Sequence, residues 1–148
     1  EAAKCRLPVR RVFITENKVN GYRLPMMAGS MVLFGMGYGV VELARKAVWL
    51  RDIEVIYWGD LDSNGFDILS QLRAELPGVR SLLMTPELWT RYPEAVVADE
   101  GECPRIPDRL TVREKQAWAI GREHHARLEQ ERILLKDVEA AVADICIE

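Results

Sequence analysis

The sequence predicts an α/β fold, a mainly parallel four-stranded sheet flanked by helices, with a helical segment at the C-terminal end. Three observations carry this. Short β-type runs alternate with amphipathic helical patterns in the order strand–helix–strand–helix–strand between residues 30 and 84, and such alternation builds parallel sheets with right-handed crossovers. The stretch Val55-Ile56-Tyr57-Trp58-Gly59-Asp60-Leu61-Asp62-Ser63-Asn64-Gly65 passes from an apolar run through an acidic turn directly into a helical pattern. The composition, 49% hydrophobic and 29% charged over 148 residues, is that of one ordinary globular domain.

The elements follow in order. Arg11-Val12-Phe13-Ile14-Thr15 is a β-type run that ends at Glu16-Asn17-Lys18. Ser30-Met31-Val32-Leu33-Phe34 is a second, closed by the turn Gly35-Met36-Gly37-Tyr38-Gly39. Residues 40–50 read as a helix with Val40, Leu43, Ala47 and Leu50 on its apolar side. Residues 53–58 form the third strand. In the helix after it, Phe66, Leu69, Leu72 and Leu76 recur at spacings of three and four, while Asp67, Gln71 and Glu75 fall off that stripe. Ser63 or Asn64 is the expected N-cap, and Pro77-Gly78 the stop. Residues 79–84 supply a fourth strand. Residues 85–108 lose periodicity, carry four prolines (Pro86, Pro93, Pro104 and Pro107) and read as a long surface segment with a short helix at 87–92. Thr111-Val112-Arg113-Glu114 is a capping box that opens a helix through Trp118. Leu128, Leu135, Val138, Val142 and Ile145 form an apolar stripe beyond it. One helix carrying all of that stripe would set Glu131 on its core side; a break near Ile133 would release it.

The net charge of −3 argues against bulk electrostatic binding of nucleic acid. Basic residues nevertheless gather locally, at Arg6, Arg10, Arg11, Lys18 and Arg23 and again at Arg122, Arg127 and Arg132; a solvated face accounts for them better than a binding surface does. Three widely spaced cysteines, Cys5, Cys103 and Cys146, lack any CxxC pair and read as reduced thiols of a cytoplasmic protein without structural zinc. Residues 24–41 are uncharged, but Pro25 and four glycines (Gly29, Gly35, Gly37 and Gly39) favour a buried strand and turn over a membrane span. The first residue is Glu1, not Met, so the chain is expected to be a C-terminal fragment of a longer protein.

Asp60 and Asp62 admit two readings, which both stay open. They cap the helix at its positive end, or they hold a divalent cation that offsets their mutual repulsion. A calcium loop is excluded: Gln71 stands where the EF-hand pattern needs Glu, and a strand, not a helix, precedes the turn. A phosphatase with Asp60 as nucleophile also stays open, although Thr or Val would be expected where Asn64 stands. The Gly35–Gly39 turn gives GxGxG and not GxGxxG, with no Lys-Ser or Lys-Thr after it, so glycines for a tight turn explain it better than a phosphate cradle. His124 and His125 are adjacent, about 100° apart on a helix, and poorly placed to share a metal.

A lone Glu16 after the first strand and Asp60-x-Asp62 after the third are the parts of a Toprim metal site. The chain resembles the Toprim domain of the topoisomerase VI A-subunit superfamily. More narrowly, it resembles the C-terminal domain of the JetD family, the nuclease subunit of the bacterial Wadjet anti-plasmid defence system. The resemblance rests on Ile14-Thr15-Glu16-Asn17-Lys18, Phe34-Gly35-Met36-Gly37-Tyr38-Gly39, Tyr57-Trp58-Gly59-Asp60-Leu61-Asp62, Gly65-Phe66, Ser81-Leu82-Leu83-Met84 and Arg127-Leu128-Glu129-Gln130-Glu131-Arg132, an ordered set across nearly the whole chain. It implies a single Toprim catalytic domain over 1–148, in which Glu16, Asp60 and Asp62 hold Mg²⁺ or Mn²⁺. Asn64, at the third position of a DxDxD form, and Glu131 are the additional candidate ligands, and Lys18 the candidate phosphate contact. For the segment holding Glu129 and Glu131, a salt bridge with Arg127 or Arg132 is an equal reading. The resemblance further implies metal-dependent cleavage of double-stranded plasmid DNA by water, a homodimer, and a condensin-like ATPase complex as partner. Two other readings are a non-catalytic Toprim-fold assembly module and topoisomerase-like cleavage by a tyrosine of another domain.

Overall fold

In a computed structural model, which describes residues 8–102 and 105–147, four parallel strands form the central sheet: β1 (Arg11–Thr15), β2 (Ser30–Phe34), β3 (Glu54–Trp58) and β4 (Arg80–Ser81), in the order β2-β1-β3-β4. The α/β architecture with its parallel four-stranded sheet, flanking helices and C-terminal helix is as the sequence predicts. The two central strands, β1 and β3, each open on a half-buried charged residue, Arg11 or Glu54, and are otherwise almost wholly apolar and buried, as parallel strands covered on both faces must be. β2 lies at one edge and is only half-buried. Thr15 stands level with Trp58 in the β1–β3 register. The residues that leave these two strands, Glu16 and Gly59-Asp60, therefore emerge side by side.

The helices are α1 (Lys18–Arg23), α2 (Gly39–Lys46), α3 (Ser63–Glu75), α4 (Glu87–Arg91), α5 (Val112–Glu123) and α6 (Leu135–Ile147). Sequence periodicity misses α1, which is a turn and a half long and capped by Asn17, whose side chain accepts from the Val19 N–H. α2 ends at Lys46 rather than running to residue 50, because the Ala47 N–H closes onto Leu43 O and a separate 3₁₀ turn at Val48–Asp52 brings Leu50 into the core. The stripe Phe66, Leu69, Leu72 and Leu76 is buried as expected. Asp67, expected off it, is buried too, beneath Tyr38 and Gln71, which both donate to its Oδ2. The N-cap of α3 is Asp62, not Ser63 or Asn64. β4 is shorter than the expected 79–84: Leu82 N still bonds Tyr57 O, but Leu83 turns into the left-handed region at φ 54° and ends the ladder.

The expected surface segment after β4 is partly core, since Leu88, Trp89, Tyr92 and Ala95 are buried, and the Trp89 indole N–H donates to Ala117 O. The capping box forms in full. Thr111 accepts from the Glu114 N–H and the Glu114 carboxylate accepts from the Thr111 N–H. No single helix joins α5 to α6. His125 adopts φ 46° and turns the chain into β6 (Ala126–Arg127), antiparallel to β5 (Val97–Ala98), followed by a 3₁₀ turn at Gln130–Arg132. Glu131 is accordingly exposed and on no helical stripe. The break falls at the histidines, ahead of Ile133. Val138, Val142 and Ile145 of α6 are buried, whereas Leu135 is exposed. Arg73 and Glu114 form a mostly buried ion pair at 2.6 Å, which ties α3 to α5; Ser81 Oγ adds a hydrogen bond to the same carboxylate. Among the described residues no helix is long and apolar enough to cross a membrane. Cys5, Arg6, Cys103 and Pro104 lie outside the described residues.

Candidate functional site

The C-terminal edge of the sheet gathers the acidic residues. Glu16 leaves β1, Asp60 and Asp62 leave β3, and each carboxylate rests on a donor of the protein. Tyr57 Oη donates to Glu16 Oε1 at 2.8 Å, the Gln130 backbone N–H donates to Asp60 Oδ1 at 2.8 Å, and the Gly65 N–H donates to Asp62 Oδ1 at 2.6 Å. Asp62 is thus a helix cap whatever else it does. The glycines here serve the turn: a Cβ on Gly65 would fall well inside 3.0 Å of the Asp60 carbonyl oxygen, and one on Gly59 would meet Tyr57 Oη at 2.5 Å. Only glycine lets the acidic turn lie against the start of α3 while the buried phenol reaches Glu16.

The electrostatics follow from burial. Glu16 is pushed up to about 7, first by burial and then by the charges of Asp60 and Asp62, with the Tyr57 hydroxyl and the Asp60 N–H pulling the other way. Asp60 is pushed up to about 6, again chiefly by burial; the Gln130 N–H opposes this, while Asp62, Glu131 and Glu129 add to it. Burial and Asp99 also raise Asp62, against the Gly65 N–H and Arg127. Carboxylates gathered in this way favour protons or cations. Among the described residues, however, no three acidic, histidine or cysteine side chains close on one another as a finished cage; Glu16, Asp60 and Asp62 each accept a hydrogen bond from a donor of the protein. Every one of them has a second oxygen with which to meet a cation, and hard carboxylate oxygens suit Mg²⁺ or Mn²⁺.

The other predicted residues divide. Glu131 reaches the site, where its Oε1 accepts from Asn17 Nδ2 beside Glu16. Glu129 pairs with Arg127 at 3.1 Å, so the salt-bridge reading holds for that glutamate. Asn64 is exposed and lies 3.3 Å from Tyr38 Oη. Lys18 is exposed at the start of α1, two residues past Glu16. Arginines of both basic clusters are engaged by the protein itself. Arg11 pairs with Glu54, Arg23 donates to the carbonyls of Gln130 and Ile133, and Arg122 reaches Ser63 Oγ at 3.5 Å.

Sequence reasoning missed Tyr57, Asp99 and Gln130. Asp99 accepts from the backbone N–H and hydroxyl of Ser63. Gln130 is wholly buried, and Leu61 and Leu128 bridge their backbones beside it. A signal for Gln130 does exist: Ala126, Leu128 and Gln130 point inward, while Arg127, Glu129 and Glu131 are more exposed. This is a period of two that marks extended chain, in which a central Gln must face the core.

A family profile described as Wadjet protein JetD, C-terminal, matches residues 1–142 of the sequence. No curated protein matches it.

Proposed function

This chain belongs to the family of the C-terminal region of the Wadjet protein JetD, and on that premise we propose that it is a divalent-metal-dependent DNA endonuclease domain. Its role in this reading is to cleave phosphodiester bonds of plasmid DNA within an anti-plasmid defence complex. The observation that carries the reading is the placement of Glu16, Asp60 and Asp62 at the ends of adjacent strands, half-buried and close enough for neighbouring charge to favour the protonated or cation-bound form. These three residues would hold Mg²⁺ or Mn²⁺, with Glu131 at the rim. A divalent cation bound there supplies Lewis-acid stabilisation of the charge that builds on the phosphate oxygens during cleavage.

The protein's own groups do the rest. Tyr57 holds Glu16, the Gly65 N–H holds Asp62, and the Gln130 N–H holds Asp60, so the carboxylates meet substrate already oriented. Lys18, exposed at the start of α1, would meet a backbone phosphate in this reading. Water is the proposed nucleophile. The Tyr57 hydroxyl is buried and engaged with Glu16, and the Tyr38 hydroxyl donates to Asp67 at 2.8 Å, so neither is presented for attack on DNA. In this proposal the working form is a homodimer that acts with a condensin-like ATPase complex.

Mn²⁺ titration calorimetry on the wild-type chain, Asp60→Ala and Asp62→Asn, beside cleavage of supercoiled plasmid, tests the reading. Asp62→Asn is the informative change, since Asn still caps α3 but removes the charge. Wild type is expected to bind Mn²⁺ and both variants to stay folded, bind it weakly and lose cleavage. Failure of wild type to bind into the millimolar range would remove the metal and put a non-catalytic assembly module in its place.

A further inference from the structure

We infer that Gln130 is the positioning residue of the acidic turn, its buried side chain locking the backbone N–H that holds the Asp60 carboxylate. The inference rests on the reading of that turn as a metal site. Gln130 Nε2 donates to Gly59 O at 2.6 Å and to Leu83 O at 3.0 Å, one carbonyl just before Asp60 and the other two residues past β4. Its backbone N–H donates to Asp60 Oδ1, and its backbone carbonyl accepts from Arg23 of α1. One residue thereby joins β3, the end of β4 and α1 beneath the site.

Two further observations single it out. The amide orientation is fixed, because two carbonyl acceptors face the nitrogen and the reverse rotamer would set oxygen against oxygen. Gln130 Oε1 is then left buried with no donor among the described residues, an arrangement that costs stability. Leu83, which accepts the second bond, holds a left-handed conformation that disfavours an L side chain. An orphaned acceptor and a disfavoured backbone meeting at one buried side chain are poorly explained by packing alone, which a leucine would serve better. They are explained if Gln130 fixes one oxygen of Asp60 and so determines which oxygen meets the cation. The flanking Glu129 and Glu131 point away from the core; the residue between them does the positioning.

The test compares the full wild-type chain with Gln130→Met, an apolar side chain of similar length. It reads Mn²⁺ affinity by calorimetry, thermal unfolding by circular dichroism, and the ¹⁵N–¹H signal of the Gln130 amide during Mg²⁺ titration of wild type. Expected are cooperative unfolding of Gln130→Met, a roughly ten- to hundredfold loss of Mn²⁺ affinity, and a shift of the wild-type Gln130 amide signal as Mg²⁺ saturates. A merely structural Gln130 would lower the unfolding temperature and leave the affinity of the folded protein unchanged. Wild-type affinity in folded Gln130→Met overturns the inference while leaving the metal site standing; absence of Mn²⁺ binding by wild type overturns both. Should Gln130→Met not fold, the amide signal decides, and one that stays fixed at saturating Mg²⁺ overturns the inference.

Discussion

Gly65 shows how little freedom the acidic turn has. Its missing side chain is the space occupied by the Asp60 carbonyl, so Gly65→Ala must push the turn off α3 and disturb the Asp62 cap. We expect a loss of about 2–3 kcal/mol in denaturant unfolding together with weakened Mn²⁺ binding, whereas Gly78→Ala, which meets nothing within 4 Å, should be nearly silent. Glu16 gives a prediction of opposite sign. Its value in the folded protein, about 7, lies above the ordinary 4.5. Its contribution to stability is therefore full below pH 4.5 and is lost as pH rises through 7. Metal-free wild type should lose stability over that window, and Glu16→Gln should flatten the dependence, gaining about 1–2 kcal/mol at pH 8 in chemical denaturation. A variant that is no more stable than wild type at pH 8 would show that Glu16 is not strained by its neighbours.

At the scale of elements, the site depends on contacts that cross the chain. The Arg73–Glu114 pair is mostly buried, and its carboxylate also meets Thr111 N and Ser81 Oγ. Burial alone would raise Glu114, but Arg73, the Thr111 N–H and Ser81 together hold it below the usual carboxylate range. Arg73→Met leaves that charge buried without its partner and should cost roughly 3 kcal/mol in denaturant melts. Elements with a strong period were legible in the sequence: β1, β2 and the buried face of α3 follow from apolar spacing alone. α1 was not, because six residues are too few to show a period, nor was the α5–β6 boundary, where a single left-handed histidine outweighs a continuous apolar stripe. Glu16, Asp60 and Asp62 could be picked out as an acidic set before any coordinates. Their supports are harder to read: Tyr57 looks like one more apolar strand residue, and for Gln130 only the alternation of residues 126–131 shows that it faces the core, not what it holds there.

For the whole molecule, cation binding should appear as stability. A ligand that binds only the folded state stabilises it by about 2.7 kcal/mol at a hundred times its Kd. Saturating Mn²⁺ should thus raise the melting temperature of wild type by several degrees and leave Asp60→Ala unmoved, with a chelator reversing the gain. An equal rise in both would assign the effect to weak surface binding. With a net charge of −3 and most of its arginines engaged by the protein itself, the chain alone is expected to hold DNA weakly and with a shallow dependence on salt.

The supports of the site come from distant parts of the chain. Tyr57 and Glu16 are 41 residues apart, and Gln130 and Asp60 are 70 apart. Contacts of such separation are slow to form and depend on the intervening chain having folded. During synthesis the acidic turn leaves the ribosome long before the glutamine that braces it, so a nascent chain carries the carboxylates without the brace. A cell making this chain meets a built-in delay: the acidic turn acquires its buried support only when the sequence through Gln130 has emerged and folded.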